Sequence, residues 1–523
     1  MATRVRRPAT AFLVLVLVAA GAAAAAAPEV RIEAGVLRGM TAGGVDAFKG
    51  IPYAAPPVGD LRWRAPQPAV PWPGVRDATA YGHDCVQLPA PGDAGASGSS
   101  RAEDCLVLNV WRPASAGPGR RLPVLVWIHG GGFVSGAASV PLFDGSAFAR
   151  DGVVLVGINY RLGRLGFFAH PALTAAHEGP LANYGLMDQL AALQWVRRNV
   201  AAFGGDPDAV TVAGESAGGI AVIHLLTSPA ARGLFRRAAV LSGGGRTYLL
   251  PQRALSATTG SLPSAEASGL AFAASAGITG TDAAALRALR ALPAERVSGD
   301  LGMAALLDLP ATYTGGPVRD GVIVTAQPEA AFRRGAFAPV PLVIGTTQDD
   351  LGAGPPPADF FGPDAEQARR AYDPGGSLGT AMVAALVAED LTMHEPARFV
   401  ARAMTQAGAP AWLYRFDYVA EALRAQTDSA GHASELAYVF ARLDARYGSA
   451  VTDADRRMAA LVHGYFANFV RHGDPNGPGL PAWPRFDPAG FDLMLFTATG
   501  ARVTPDPWRG RLALVERALA RRQ

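Results

Sequence analysis

Cysteine is almost missing from this chain. Of 523 residues only Cys85 and Cys105 carry a thiol, and neither belongs to a Cys/His set of the number and spacing that a zinc site normally shows. No other cluster of metal-ligating side chains stands out, so neither a metal nor another cofactor is expected. A basic stripe is missing as well: the formal net charge is +3, with arginine spread along the whole length, and nucleic-acid binding is not indicated. No internal repeat is visible, so the chain is not an array of like units. Nor does a long linker interrupt the strand-like and helix-like segments that alternate from about residue 110 to 416, which favours one large α/β domain over several.

What is present supplies a large core. Half of the residues are hydrophobic (50%), and 61 glycines and 41 prolines provide many turns. Residues 1–27 read as a secretory signal, with Arg4, Arg6 and Arg7 ahead of the apolar run Phe12-Leu13-Val14-Leu15-Val16-Leu17-Val18, and small alanines before Pro28. Cleavage is expected near Ala27, leaving 28–523 as a single domain. The apolar stretch ends in alanines and lacks a basic stop-transfer flank, so no stable membrane anchor is expected, and no cysteine stands at the cleavage site to take a lipid. The Arg6-Arg7 pair hints at twin-arginine export, although its flanks fit poorly. In an exported chain an isolated pair of cysteines close in sequence points to a Cys85–Cys105 disulfide, contributing about 3 kcal/mol through the unfolded chain. The spacer between them, from Pro89 to Ser100, is small, polar and free of aromatics, a surface loop by composition.

The most informative segment is Gly214-Glu215-Ser216-Ala217-Gly218. It follows the apolar run Val210-Thr211-Val212-Ala213 and precedes a helix-compatible run, giving the strand, sharp turn and helix of a nucleophile elbow with Ser216 at its tip. Glycines two positions either side let strand and helix approach closely. A second G-x-S-x-G, Gly375-Gly376-Ser377-Leu378-Gly379, follows Arg369-Arg370-Ala371-Tyr372-Asp373-Pro374, which offers no buried strand, so Ser377 reads as a loop serine. Apolar runs at 122–128, 153–159, 210–213, 238–241 and 341–345 predict a largely parallel sheet. Residues 185–203 carry Leu186, Leu190, Leu193 and Val196 at helical spacing, a crossover helix, and 246–317 reads as a helical insertion above the strand ends.

A serine that attacks an ester needs a base and hydrogen-bond donors for the developing oxyanion. The segment Trp127-Ile128-His129-Gly130-Gly131-Gly132-Phe133 places three glycines directly after a strand, where amides can point into the site unobstructed. Gly131 and Gly132 are the candidate donors. The amide of Ala217, at the start of the following helix, is the third.

With these blocks in view, the chain resembles the type-B carboxylesterases, the cholinesterase-like branch of the α/β-hydrolases, and within them the bacterial para-nitrobenzyl esterase-like enzymes. The resemblance also rests on Phe48-Lys49-Gly50-Ile51-Pro52-Tyr53-Ala54, Glu103-Asp104-Cys105-Leu106-Val107-Leu108-Asn109-Val110 and Asn183-Tyr184-Gly185-Leu186-Met187-Asp188-Gln189, and it covers nearly the whole mature chain. It implies an α/β-hydrolase fold, a large mostly parallel central sheet flanked by helices, with helical insertions over the active site. It assigns the base to His432 in Gly431-His432-Ala433-Ser434-Glu435-Leu436. It assigns the triad acid to Asp350, where the chain departs twice: relatives commonly have Glu there, and Leu351 takes a glycine position. Asp is one methylene shorter, so its loop must approach His432 more closely. Ser242 and Glu435 match a supporting network around the histidine, and Glu215 is placed to raise the pKa of His432. His224, His463 and His472 read as structural or exposed.

The implied activity is hydrolysis of small to medium carboxylic esters through an acyl-enzyme on Ser216, with no cofactor and a small-molecule ester as the only partner. The rate should fall as pH drops through the pKa of His432, about 6.5 when unperturbed. Cholinesterases hold the substrate's ammonium over a tryptophan between the paired cysteines. No aromatic lies between Cys85 and Cys105, which argues against choline esters. The alternatives are a lipase or a specialised hydrolase of aromatic, carbamate or mycotoxin esters, and, from a different class, an inactive cholinesterase-like adhesion domain. The sequence gives no reading of oligomeric state.

Overall fold

The computed structural model describes residues 26–88, 100–246, 252–352 and 354–522. The signal segment expected at 1–27, except its last two residues, and most of the spacer between the cysteines lie outside the described residues. Among the described residues no helix is long and apolar enough to cross a membrane.

The architecture grows from one sheet of eleven strands among the described residues. In chain order these are β1 (Met40–Ala42), β2 (Val45–Pro52), β3 (Val107–Pro113), β4 (Leu122–Ile128), β5 (Val154–Ile158), β6 (Gly205–Glu215), β7 (Arg237–Leu241), β8 (Leu342–Thr347), β9 (Ala411–Phe416), β10 (Asp492–Thr497) and β11 (Gly500–Pro505). Their spatial order is β11-β10-β9-β8-β7-β6-β4-β5-β3-β2-β1. Neighbours from β10 to β5 run parallel, and antiparallel strands close both edges.

The strands are apolar on both faces because helices cover both faces. Val124, Val126 and Ile128 of β4 face one core, while Leu125 and Trp127 face the other, as the two-residue period of a strand requires. The first core is completed by α1 (Tyr184–Asn199), α2 (Ala217–Thr227) and α3 (Glu395–Gln406), which contribute Leu190, Leu193, Val222, Leu225, Val400 and Met404. The second takes Met458, Val462, Phe466 and Phe469 from α4 (Asp453–His472). The crossover helix expected at 185–203 is α1 followed by a tight turn of 3-10 helix at Val200–Phe203. The insertion carries short helices at Ala265–Ser275, Ala283–Arg290, Ala294–Ser298 and Met303–Leu306. Cys85 and Cys105 are joined in a disulfide.

Candidate active site

β6 ends at Glu215 and α2 begins at Ala217, so the whole turn falls on Ser216. Its φ of 55° and ψ of −123° lie where a side chain is strained, at a cost of order 1–3 kcal/mol. The surroundings enforce that conformation. The Ser216 amide donates to the Leu241 carbonyl at 2.9 Å, and the Ser216 carbonyl accepts from the Ile220 amide at 2.8 Å. A Cβ on Gly218 would strike the Ile128 carbonyl, and one on Gly214 would lie 2.5 Å from the Gly218 carbonyl group. Both glycines are therefore required where strand and helix meet.

Gly130, Gly131 and Gly132 leave β4 beside this turn. A Cβ on Gly130 would stand 2.6 Å from the Glu215 carboxylate and 3.1 Å from the Ser216 Cβ, so only glycine lets the loop pass so close. Gly131 and Gly132 have φ of 98° and 62°, and their amides donate to no acceptor among the described residues. The loop is braced from behind. The His129 ring stacks on Tyr160 with centroids 4.5 Å apart, and the Tyr160 hydroxyl donates to the His129 carbonyl at 3.0 Å. Burial pushes His129 down to about 4, so its ring is neutral, and Nδ1 donates to the Gly130 carbonyl at 2.9 Å. Gln87, two residues from the disulfide, holds both the amide and the carbonyl of Gly136 at 2.8 Å.

Asp350 follows β8 and His432 follows β9, and the structure brings them together: Nδ1 of His432 lies 2.6 Å from Oδ1 of Asp350. The missing methylene is met by backbone. The Asp349 amide donates to the Ala430 carbonyl at 3.0 Å, forming a parallel bridge between Asp349 and Gly431 that ties the acid's loop to the histidine's. The other carboxylate oxygen of Asp350 accepts from the Thr347 amide at 3.0 Å and the Ser242 hydroxyl at 2.7 Å. Burial works to raise the Asp350 carboxyl, but the charge and hydrogen bond of His432 outweigh it, holding the group well below the usual range.

Nε2 of His432 lies 3.0 Å from Oε1 of Glu215, and among the described residues it forms no hydrogen bond to Ser216. The Glu215 contact is close but off the line of a hydrogen bond. Burial opposes charge on the imidazole, yet the carboxylates of Glu215 and Asp350 prevail and push it up to about 9. Burial in turn pushes Glu215 up to about 7, against the opposing pull of His432. The histidine's ordinary 6.5 is thus replaced by a higher value.

Other candidates separate. Ser242 serves Asp350 rather than the ring. Glu435 is buried and makes no hydrogen bond to His432 among the described residues, and burial pushes it up to about 8, so its carboxyl is mostly protonated near neutral pH. His463 sits inside α4 against the Val439 carbonyl, at 2.7 Å. Two contributors escaped the sequence reading: Met303 lines the chamber with Ser216 and His432, and Leu306 lies over Gly132 where a Cβ would stand. Their signal was an apolar run, Leu301 to Leu307, in an insertion outside the sheet. The chamber holds about 50 Å³.

The fold and this arrangement at the carboxyl ends of parallel strands define an α/β-hydrolase. The model of the carboxylesterase family matches residues 26–354 and 377–507. The para-nitrobenzyl esterase of Bacillus subtilis (strain 168) is 37% identical over 482 residues, covering 87% of this chain and 92% of that protein. The fumonisin B1 esterase of Sphingopyxis macrogoltabida is 35% identical, covering 89% and 85%. A solved structure of a carboxylesterase from Geobacillus stearothermophilus gives a TM-score of 0.76 at 35% identity over 93% of this chain and 99% of that one. The chain belongs to the carboxylesterase family, type B, and is a carboxylic-ester hydrolase.

Proposed function

We propose that the chain is an exported serine esterase in which Ser216, His432 and Asp350 act in sequence on small to medium esters. The reading is supported above all by the Asp350–His432 contact at 2.6 Å beside a serine held in an elbow. In its neutral form His432 accepts the Ser216 proton at Nε2 as Oγ bonds to the ester carbonyl carbon. The carbonyl oxygen gains charge and is met by the amides of Gly131, Gly132 and Ala217. The C–O bond to the alcohol then breaks, and His432 returns its proton to that leaving oxygen. Water repeats the cycle, giving its proton to His432 while its oxygen bonds to the acyl carbon, and Ser216 leaves reprotonated. Asp350 keeps Nδ1 protonated throughout. Glu215, Ser242 and Glu435 support the histidine and its acid. Residues 28–523 form one catalytic domain released by cleavage of the signal.

Met303 and Leu306 close the chamber over the oxyanion glycines, which favours short acyl groups. Para-nitrophenyl esters from acetate to palmitate test the reading: turnover is expected on the short members and lost in Ser216→Ala, and equal rates in both proteins would overturn it. Similarity to the fumonisin B1 esterase favours a second reading, hydrolysis of a mycotoxin ester, which incubation with fumonisin B1 and product analysis would decide.

A further inference from the structure

The loop that carries the oxyanion glycines is held in an uncommon shape. From Gly131 to Gly136, φ is 98° at Gly131, 62° at Gly132, 61° at Phe133 and 106° at Gly136. A bulky residue such as Phe133 keeps that conformation only where its surroundings enforce it. The Gly131 carbonyl accepts from the Val134 amide at 3.0 Å and the Ser135 amide at 2.9 Å, which closes the turn. Residues 135–136 are then pressed against 129–131. A Cβ on Gly131 would lie 2.3 Å from the Ser135 carbonyl oxygen, and one on Gly136 would lie 2.4 Å from the His129 ring and 2.6 Å from the Gly130 carbonyl oxygen. Contacts this close transmit displacement, so a shift of Gly136 moves Gly130 and Gly131 with it.

Gln87 fixes Gly136. It is buried, and every hydrogen-bonding position of its carboxamide is used. Oε1 accepts from the Gly136 amide at 2.8 Å and the Ser135 hydroxyl at 3.2 Å, while Nε2 donates to the Gly136 carbonyl at 2.8 Å and the Cys85 carbonyl at 3.1 Å. The orientation of the carboxamide follows, because the Gly136 amide can only donate and its carbonyl can only accept. On the other side Cys85 is bonded to Cys105, and β3 of the central sheet begins two residues further on, at Val107. Asp84 adds a second tie, accepting from the Ser139 hydroxyl at 2.6 Å. Gln87 is not among the residues that line the chamber at Ser216, whereas Gly136 is. Whatever Gln87 does for the reaction must pass through the loop.

We propose that Gln87 is a positioning residue for the reaction: clasped to the disulfide-anchored segment on one side and to Gly136 on the other, it holds the amides of Gly131 and Gly132 where the oxyanion forms. Amides fixed in advance stabilise the developing charge without reorganising as it appears, and that advantage is lost when the loop can drift. The effect of Gln87 therefore falls on the transition state rather than on substrate binding. This inference rests on the Ser216 mechanism above.

Para-nitrophenyl acetate and its thiono analogue, with sulfur in place of the carbonyl oxygen, test it. Sulfur is larger and a poor acceptor, so amides set for an oxygen discriminate against it, and the wild-type protein should favour the oxygen ester by about 10² in kcat/KM. In Gln87→Met, which keeps the length but offers neither donor nor acceptor, the preference should fall to about tenfold or less, with the loss in kcat rather than KM. A ratio taken within one preparation does not depend on its folded fraction, so a merely structural role would leave it unchanged. Gln87→Glu gives a second reading: in alkaline buffer its carboxylate faces the Gly136 and Cys85 carbonyls and the preference should be low, whereas in acidic buffer the acid again offers one donor and one acceptor and the preference should recover. A preference in Gln87→Met equal to that of the wild type, or one in Gln87→Glu that does not change with pH, would overturn the proposal while leaving the mechanism intact. A wild-type protein that shows no preference for the oxygen ester, or no turnover of either, would instead overturn the mechanism, and this inference with it.

Discussion

The chain contains the pattern G-x-S-x-G twice, and the two copies share almost nothing else. At 214–218 the serine is 7% exposed with φ of 55°, and both flanking glycines are pressed against backbone. At 375–379 Ser377 is exposed between helices Ala365–Tyr372 and Thr380–Glu389, and Cβ atoms on Gly376 and Gly379 would meet nothing within 4 Å. Its amide is taken by the Asp373 carboxylate at 2.9 Å, an ordinary loop contact. The lesson is that a glycine is informative only where two backbones must meet, and a serine only where a strand ends beneath it.

If surroundings rather than pattern make Ser216, removing its surroundings should cost nearly as much as removing the serine. Asp350→Asn keeps the shape but lets the ring take the wrong tautomer, and kcat on para-nitrophenyl acetate should fall by about 10⁴. A loss below tenfold would show that Asp350 does not orient the ring. Next come the glycines: Gly218→Ala should destabilise the fold by about 3 kcal/mol in urea unfolding, because its Cβ has no room. Gly379→Ala, at φ of −70° with open space around it, should be neutral or stabilising by about 0.4–1 kcal/mol. Equal effects at the two sites would erase the contrast.

The smallest expected effect concerns pH. In the proposed mechanism His432 must be neutral to take the serine proton, and its folded value is raised from 6.5 to about 9 by Glu215 and Asp350. The same pairing stabilises the fold below the unfolded value and is lost as pH rises through the folded one. Activity runs the other way: kcat/KM should climb with pH along a limb centred between 6.5 and about 9. Glu215→Gln removes one of the two charges, so the limb should move to lower pH by about one unit. A limb that stays in place would show that Glu215 does not charge the ring.

Much of this was legible in the sequence because it is local. The elbow, the glycine triplet and five of the parallel strands each lie within one short run. Strand β9 was not legible: Ala411-Trp412-Leu413-Tyr414-Arg415-Phe416 is broken by a charge whose partner, Asp506, lies 91 residues away at 3.2 Å. Nothing near Arg415 in sequence shows that it is neutralised. Asp350 and His432 were assigned through family resemblance, and only the structure shows the Asp349–Gly431 bridge that lets the shorter acid reach. The position of Leu306 over Gly132 depends on where the insertion folds, which no local pattern fixes.

The central claim is that one of two identically patterned serines is activated. Incubation with a fluorophosphonate, followed by proteolysis and mass analysis, reads both in one experiment. The account predicts that the peptide containing Ser216 gains the phosphonyl mass, that the peptide containing Ser377 does not, and that Ser216→Ala abolishes labelling. Labelling at Ser377, or none at Ser216 while the folded protein hydrolyses an ester, would contradict it.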